Sequence, residues 1–169
     1  MGYKGARGQD TTVDEEDLRY VLSHFATGIT VVTGRDDHGR ARAITVNAFA
    51  SLSLEPPLIL YALGKSAFNF NVFATAKVFA VNILSADQEA LSDRFAREAE
   101  DAFPDVPVIE LATGSPILVD GLGALDCETQ AIHEAGDHLI MIGLVRALSL
   151  PREAEPLVYF RSRYRRVTS

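Results

Sequence analysis

Cysteine is nearly missing from this sequence. Cys127 is its one thiol, so no disulfide can form within the chain, and the residue reads as apolar filler in a buried strand rather than as a nucleophile. Positive charge is also scarce. Sixteen Lys and Arg against 23 Asp and Glu leave a net charge of −7, which argues against nucleic acid as a partner, because its phosphates call for a basic face. A small molecule bearing phosphate stays compatible, since it needs only a local cation and a few N–H groups. No apolar run approaches the length of a membrane span, and the N-terminus has no signal-peptide core. A cytoplasmic protein without a membrane partner is therefore expected. His24, His38, His133 and His138 show no ligand-type spacing with cysteine or carboxylate, so no metal is expected.

What is present is ordinary globular composition: 47% hydrophobic and 23% charged over 169 residues, most economically one domain with a sizeable core. The stretch Ala43–Pro57, AITVNAFASLSLEPP, reads as a strand in which Ile44, Val46, Phe49 and Leu52 supply the apolar bulk. Thr45, Asn47, Ser51 and Ser53 occupy odd positions, which on an extended chain share one face. That face carries hydroxyl and amide groups and no formal charge before Glu55. It suits a planar heterocycle with both donors and acceptors, and it equally describes a solvated face of an antiparallel sheet. Glu55-Pro56-Pro57 ends the strand.

Along the chain, residues 1–11 form a glycine-rich polar tail and residues 12–169 the domain. Thr12-Val13-Asp14-Glu15 fits a capping box ahead of a helix carrying Leu18, Val21, Leu22 and Phe25, stopped at Gly28. Ile29–Thr33 is a strand, Gly34–Arg40 a turn with His38 exposed, and Leu58–Leu63 another strand. Gly64-Lys65-Ser66 then opens a short helix to about Thr75. Such a helix start can hold a phosphate, or Ser66 can simply cap it. Val78–Leu84 is an apolar strand with one amide, Asn82, and Ser85–Gln88 is a second capping box opening a helix with Leu91, Arg94 and Phe95. Glu98–Pro116 is a long acidic loop with a short strand at Val108–Leu111. Leu122–Glu134, His138–Leu150 and Leu157–Phe160 are strands, before a basic end at Arg161–Arg166. Hairpin turns outnumber helical crossovers, so a mainly β, antiparallel barrel or sandwich with a few helices is expected.

The order of motifs resembles the flavin reductase family with an FMN-binding split β-barrel. The residues that carry the resemblance run from Phe25-Ala26-Thr27-Gly28-Ile29 through Asn47-Ala48-Phe49, Ser51–Leu58, Phe79–Ser85, Arg94-Phe95 and Gly114-Ser115-Pro116. They end with Gly136-Asp137-His138, Pro156-Leu157 and Tyr159-Phe160-Arg161 with Tyr164.

The resemblance implies a homodimeric, Greek-key-like split barrel that binds FMN or FAD and takes NADH or NADPH as co-substrate. Reduced flavin would pass by diffusion to a flavin-dependent monooxygenase. By the same resemblance Ala43, Ile44, Thr45, Val46, Asn47, Ala48 and Ser51 line the isoalloxazine, and Ala62, Leu63 and Gly64 the ribityl chain. Ser66, Phe68, Asn69, Arg94 and Phe95 lie toward the phosphate or AMP half, where a guanidinium suits phosphate oxygens. His138 would approach the nicotinamide as the one catalytic residue, with Tyr164 beside it. A turn residue that merely feeds a strand is the other reading of His138. Two departures leave FMN against FAD open: Ala48 stands where relatives often have a hydroxyl, and Lys65–Asn69 lacks an arginine common there. The alternatives of function are a tight flavoprotein with its own substrate and a flavin-binding module without turnover. A redox cofactor carries the chemistry itself, so no triad or carboxylate pair is called for.

Overall fold

A computed structural model describes residues 13–97, 103, 105–150 and 152–167; the expected tail, and Thr12 with it, lies outside them. Helix α1 (Glu15–Leu22) is capped by Asp14, whose Oδ1 accepts from the N–H groups of Glu16 at 2.9 Å and Asp17 at 3.0 Å. The cap expected at Thr12 is thus Asp14, a carboxylate that both pairs with orphan donors and meets the positive end of the helix. No residue of α1 is buried, and Leu18, Val21, Leu22 and Phe25 stand exposed.

Beyond α1 the chain is mostly antiparallel strand. A seven-stranded sheet runs in the order β3 (Ala41–Val46), β2 (Thr30–Arg35), β6 (Val78–Ile83), β9 (Gly123–Ala135), β10 (His138–Ser149), β5 (Pro57–Gly64) and β4 (Phe49–Leu54). Two small sheets flank it: β1 (Thr27–Gly28), β11 (Val158–Phe160) and β12 (Arg163–Arg165), and the pair β7 (Val108–Glu110) and β8 (Pro116–Leu118). Helix α2 (Phe70–Ala74) follows β5, and a 3₁₀ turn at Ala86–Gln88 leads into α3 (Glu89–Arg97). The capping box expected at Ser85 is present, with Gln88 Oε1 accepting from the Ser85 N–H at 3.1 Å. Ser66 does not cap α2, which starts later, behind Asn69.

Strands β3 and β4 are the two ends of the large sheet, yet only Asn47 and Ala48 separate them. So short a link spans roughly 10 Å, so the sheet curls until its edges approach. Among the described residues no ladder joins those edges, and the curl stays open. Inside it lies one core cluster, with Val32, Ile44, Tyr61, Leu63, Phe73, Phe79, Cys127 and Met141. A second cluster, with Ile29, Val31, Ala43, Leu84, Phe95 and Leu157, fills the space under α3. Neighbours Val31 and Val32 point into different clusters, which is why β2 is apolar without alternation. Gly143 is needed inside the curl: a Cβ there would fall 2.5 Å from Cζ of Phe79.

Asn82, the amide in apolar β6, is fully used. It donates to the Val31 carbonyl and to Thr33 Oγ1, both at 3.0 Å, and accepts from the Leu118 N–H at 2.8 Å, holding β8 over the sheet. Among the described residues no helix is long and apolar enough to cross a membrane.

Candidate functional site

The expected single strand from Ala43 to Ser53 breaks at the Asn47-Ala48 corner. Thr45 and Ser51 therefore sit on opposite edge strands, and their common face exists only because the sheet curls. Ala43, Ile44 and Val46 are buried, with their side chains packed into the core clusters. Thr45 is half-buried, and its hydroxyl donates to the Ser92 carbonyl of α3 at 2.7 Å. Asn47 and Ala48 are exposed at the corner, which is docked on β5 by the Ala62 N–H donating to the Ala48 carbonyl at 2.9 Å. Asn69 is buried and donates from Nδ2 to the Ala43 carbonyl at 2.9 Å, tying the segment after β5 to β3.

Around that corner the other expected residues divide. Leu63 and Phe95 are core residues, at 0% and 2% exposure, and serve packing. Ala62 and Gly64 lie half-exposed on the outer face of β5, Ser66 is exposed in the following turn, and Phe68 is exposed at 66%. Arg94 is half-buried on α3.

A cleft of about 670 Å³ opens from Thr45 and Asn47 between α3 and the β11–β12 hairpin, and Tyr164 and Arg163 are among its walls. The Tyr164 hydroxyl lies 2.8 Å from Ser92 Oγ and donates to Asp93 Oδ1 at 3.2 Å, so the hairpin hangs on α3. Burial raises the Tyr164 phenol above its ordinary value and keeps it protonated, with the Ser92 contact opposing that rise. Sequence reasoning missed Glu89, Asp93 and Arg97, which also line the cleft. Their spacing of four residues places them on one helical face, and that spacing is visible in the sequence.

His138 is not among the residues lining that cleft. It opens β10 directly opposite Gly64 of β5, on the outer face of the sheet, so it belongs with Ala62 and Gly64 rather than with Tyr164. Its Nδ1 is 2.7 Å from Asp137 Oδ1.

The donor set fits a flavin. The amide of Asn47 and the hydroxyls of Ser51 and Ser66 make no hydrogen bond to protein among the described residues, and all three side chains are neutral. An isoalloxazine edge alternates acceptors and donors, which an amide and hydroxyls can answer without a fixed charge. Arg163 and Arg97, the latter paired with Asp93 at 3.6 Å, place two guanidinium groups in the cleft beside the carboxylates of Glu89 and Asp93, and phosphate oxygens call for such cations.

Known proteins resemble this chain over most of its length. The flavin reductase-like domain matches residues 22–168. The reductase subunit HsaB of a flavin-dependent monooxygenase from Rhodococcus jostii is 36% identical over 90% of this chain and 77% of its own length. SmoA, named as an FMN reductase (NADH) from Agrobacterium fabrum, is 40% identical over 86% of this chain and 82% of its own. Among solved structures, the NADH:FAD oxidoreductase SgcE6 of Streptomyces globisporus, in complex with NAD and FAD fragments, superposes with a TM-score of 0.84. It is 33% identical, covering 94% of this chain and 97% of that one.

Proposed function

The chain belongs to the flavin reductase-like family, and on that premise we propose that it is an NAD(P)H:flavin oxidoreductase that hands reduced flavin to a partner monooxygenase. The observation that carries this reading is the Asn47-Ala48 corner: an exposed amide with no protein partner among the described residues, on a backbone locked to β5 through Ala48. Bound flavin supplies the hydride acceptor. The protein's work is to hold it there and to present a dihydronicotinamide to it at reactive distance. Asn47, Ser51 and Ser66 hold the ring and ribityl side, Arg94 with Arg97 and Arg163 meets phosphate, and His138 receives the nicotinamide. Tyr164, set in the cleft with Thr45 and Asn47, borders the flavin site in this reading.

The working unit is a homodimer of split barrels. Supporting this, Leu60 pairs with Ile142 and Ala62 with Ile140 on the outer face of β5 and β10, all half-exposed in a single chain. A second copy would cover that face and come against His138 at its end.

The test is oxidation of NADH and of NADPH in the presence of FMN, FAD or riboflavin, with the purified protein's own flavin content measured alongside. Turnover with added flavin by a colourless protein supports supply of diffusible flavin. A protein that keeps its flavin and ignores added flavin is a flavoprotein with a substrate of its own.

A further inference from the structure

We propose that Asp137 is a positioning residue. It holds His138 in the tautomer with hydrogen on Nδ1, so that Nε2 is a lone-pair acceptor for the carboxamide N–H of the incoming dihydronicotinamide. The proposal rests on the reading of His138 as the residue that receives the nicotinamide.

The contact is direct, Nδ1 to Oδ1 at 2.7 Å. The hydrogen bond from His138 holds the Asp137 carboxyl below its ordinary value. At neutral pH the carboxylate is therefore ionised and can only accept, so the hydrogen between the two groups sits on Nδ1. A neutral imidazole with hydrogen on Nδ1 has its lone pair on Nε2.

The second half of the geometry is on β5. Nε2 is the ring atom nearest to where a Cβ of residue 64 would stand, 3.4 Å from Nε2 and 3.8 Å from Cδ2. A Cβ at 64 would be in ordinary van der Waals contact with the edge that carries the lone pair, and glycine leaves that edge uncovered. Asp137 also sets this register, because its backbone carbonyl accepts from the Lys65 N–H at 2.9 Å while Lys65 Nζ pairs with Glu134. One residue thus fixes the strand end under the imidazole with its carbonyl and the imidazole's hydrogen with its carboxylate. Without the carboxylate nothing holds the hydrogen on Nδ1, and Nε2 becomes free to be a donor, which a carboxamide N–H cannot use.

Two measurements test this. Long-range ¹⁵N NMR of the flavin-free protein reads the His138 tautomer, with His138→Ala identifying the resonance. The wild type is expected in the Nδ1–H form and Asp137→Ala in the Nε2–H form. Steady-state kinetics at saturating flavin then compare NADH with reduced 3-acetylpyridine adenine dinucleotide, whose acetyl group lacks the N–H. Wild type should favour NADH, and both Asp137→Ala and His138→Ala should reduce that preference about three- to tenfold. The double variant should be no worse than His138→Ala, with melting temperatures within a few degrees. Asp137→Asn, isosteric and uncharged, gives the same comparison with a smaller change should the alanine variant lose stability. A wild-type Nε2–H tautomer, or a preference that survives Asp137→Ala but falls with His138→Ala, overturns the positioning role. A preference untouched by His138→Ala overturns the placement of nicotinamide itself.

Discussion

The hydroxyl of Thr45 donates to the Ser92 carbonyl oxygen over 2.7 Å, joining edge strand β3 to helix α3. Ser92 in turn meets Tyr164 with its own hydroxyl at 2.8 Å, so strand, helix and C-terminal hairpin are held at one residue. Thr45→Val keeps the shape and removes the donor. It should cost about 0.5–1.5 kcal/mol, read as a lower urea midpoint at unchanged slope. Flavin affinity should drop with it, because Arg94 and Arg97 ride on α3. A variant with wild-type midpoint and wild-type affinity would show that α3 is held by packing alone.

Burial pushes the Cys127 thiol up to about 12, with the Asp126 carboxylate adding to the rise. Burial also raises the Tyr61 phenol in the same core, helped by Cys127. Both groups keep their protons longer folded than unfolded. Their contribution to stability is therefore full below the unfolded thiol's value, about 8.5, and is lost as pH climbs beyond it. Denaturation midpoints should hold level between about pH 7 and 8.5 and fall above about pH 9, less steeply in Cys127→Ala. A thiol reagent at pH 8 should label the folded protein far more slowly than the denatured one. Rapid labelling of native protein would contradict the buried, protonated thiol.

The class of fold was legible because β propensity and turn chemistry agree over most of the chain, and the Ser85–Gln88 box was legible because its two side chains serve each other. Other features were hidden for identifiable reasons. Thr12 and Asp14 compete for one cap, and only the backbone decides which oxygen reaches the free N–H groups. Strand β12 escaped because the turn before it runs through Arg161 and Ser162 at φ 52° and 57°, where a glycine or asparagine would have announced a hairpin. The polar alternation around Asn47 marks an unusual segment but spans two strands rather than one, since nothing local reveals a two-residue corner between opposite sheet edges. At the site, Asn47 and His138 are visible as residues, whereas the pairing of His138 with Gly64 depends on the register of β10 against β5.

That same register supports the proposed homodimer. Leu60, Ala62, Ile140 and Ile142 share the outer face, while Ile59, Tyr61, Leu63 and Met141 fill the core behind them. Sedimentation should give twice the mass of the 18.4 kDa chain at micromolar concentration. Ile142→Asp should shift the species toward monomer and weaken flavin binding, since a charge on a buried apolar face is strongly disfavoured. A wild-type monomer at that concentration would end the proposal.

Arg94 is the sharpest probe of where phosphate lies. It sits half-buried on α3, two residues beyond the Ser92 carbonyl that anchors the helix to β3. A guanidinium in that position gains little from the ring of a flavin and much from its phosphate, through short charge-assisted bonds. Riboflavin has the ring and ribityl chain without the phosphate, so the comparison isolates the group. Arg94→Ala should weaken FMN and FAD by about 1.5–3 kcal/mol, roughly ten- to 150-fold, and leave riboflavin within about twofold. Arg94→Lys should recover part of the loss, because a point charge replaces the fork. Equal losses for riboflavin and FMN in titrations followed by flavin fluorescence would mean that Arg94 shapes the helix rather than meets phosphate. The cations at Arg97 and Arg163 along the cleft would then be the ones to exchange next.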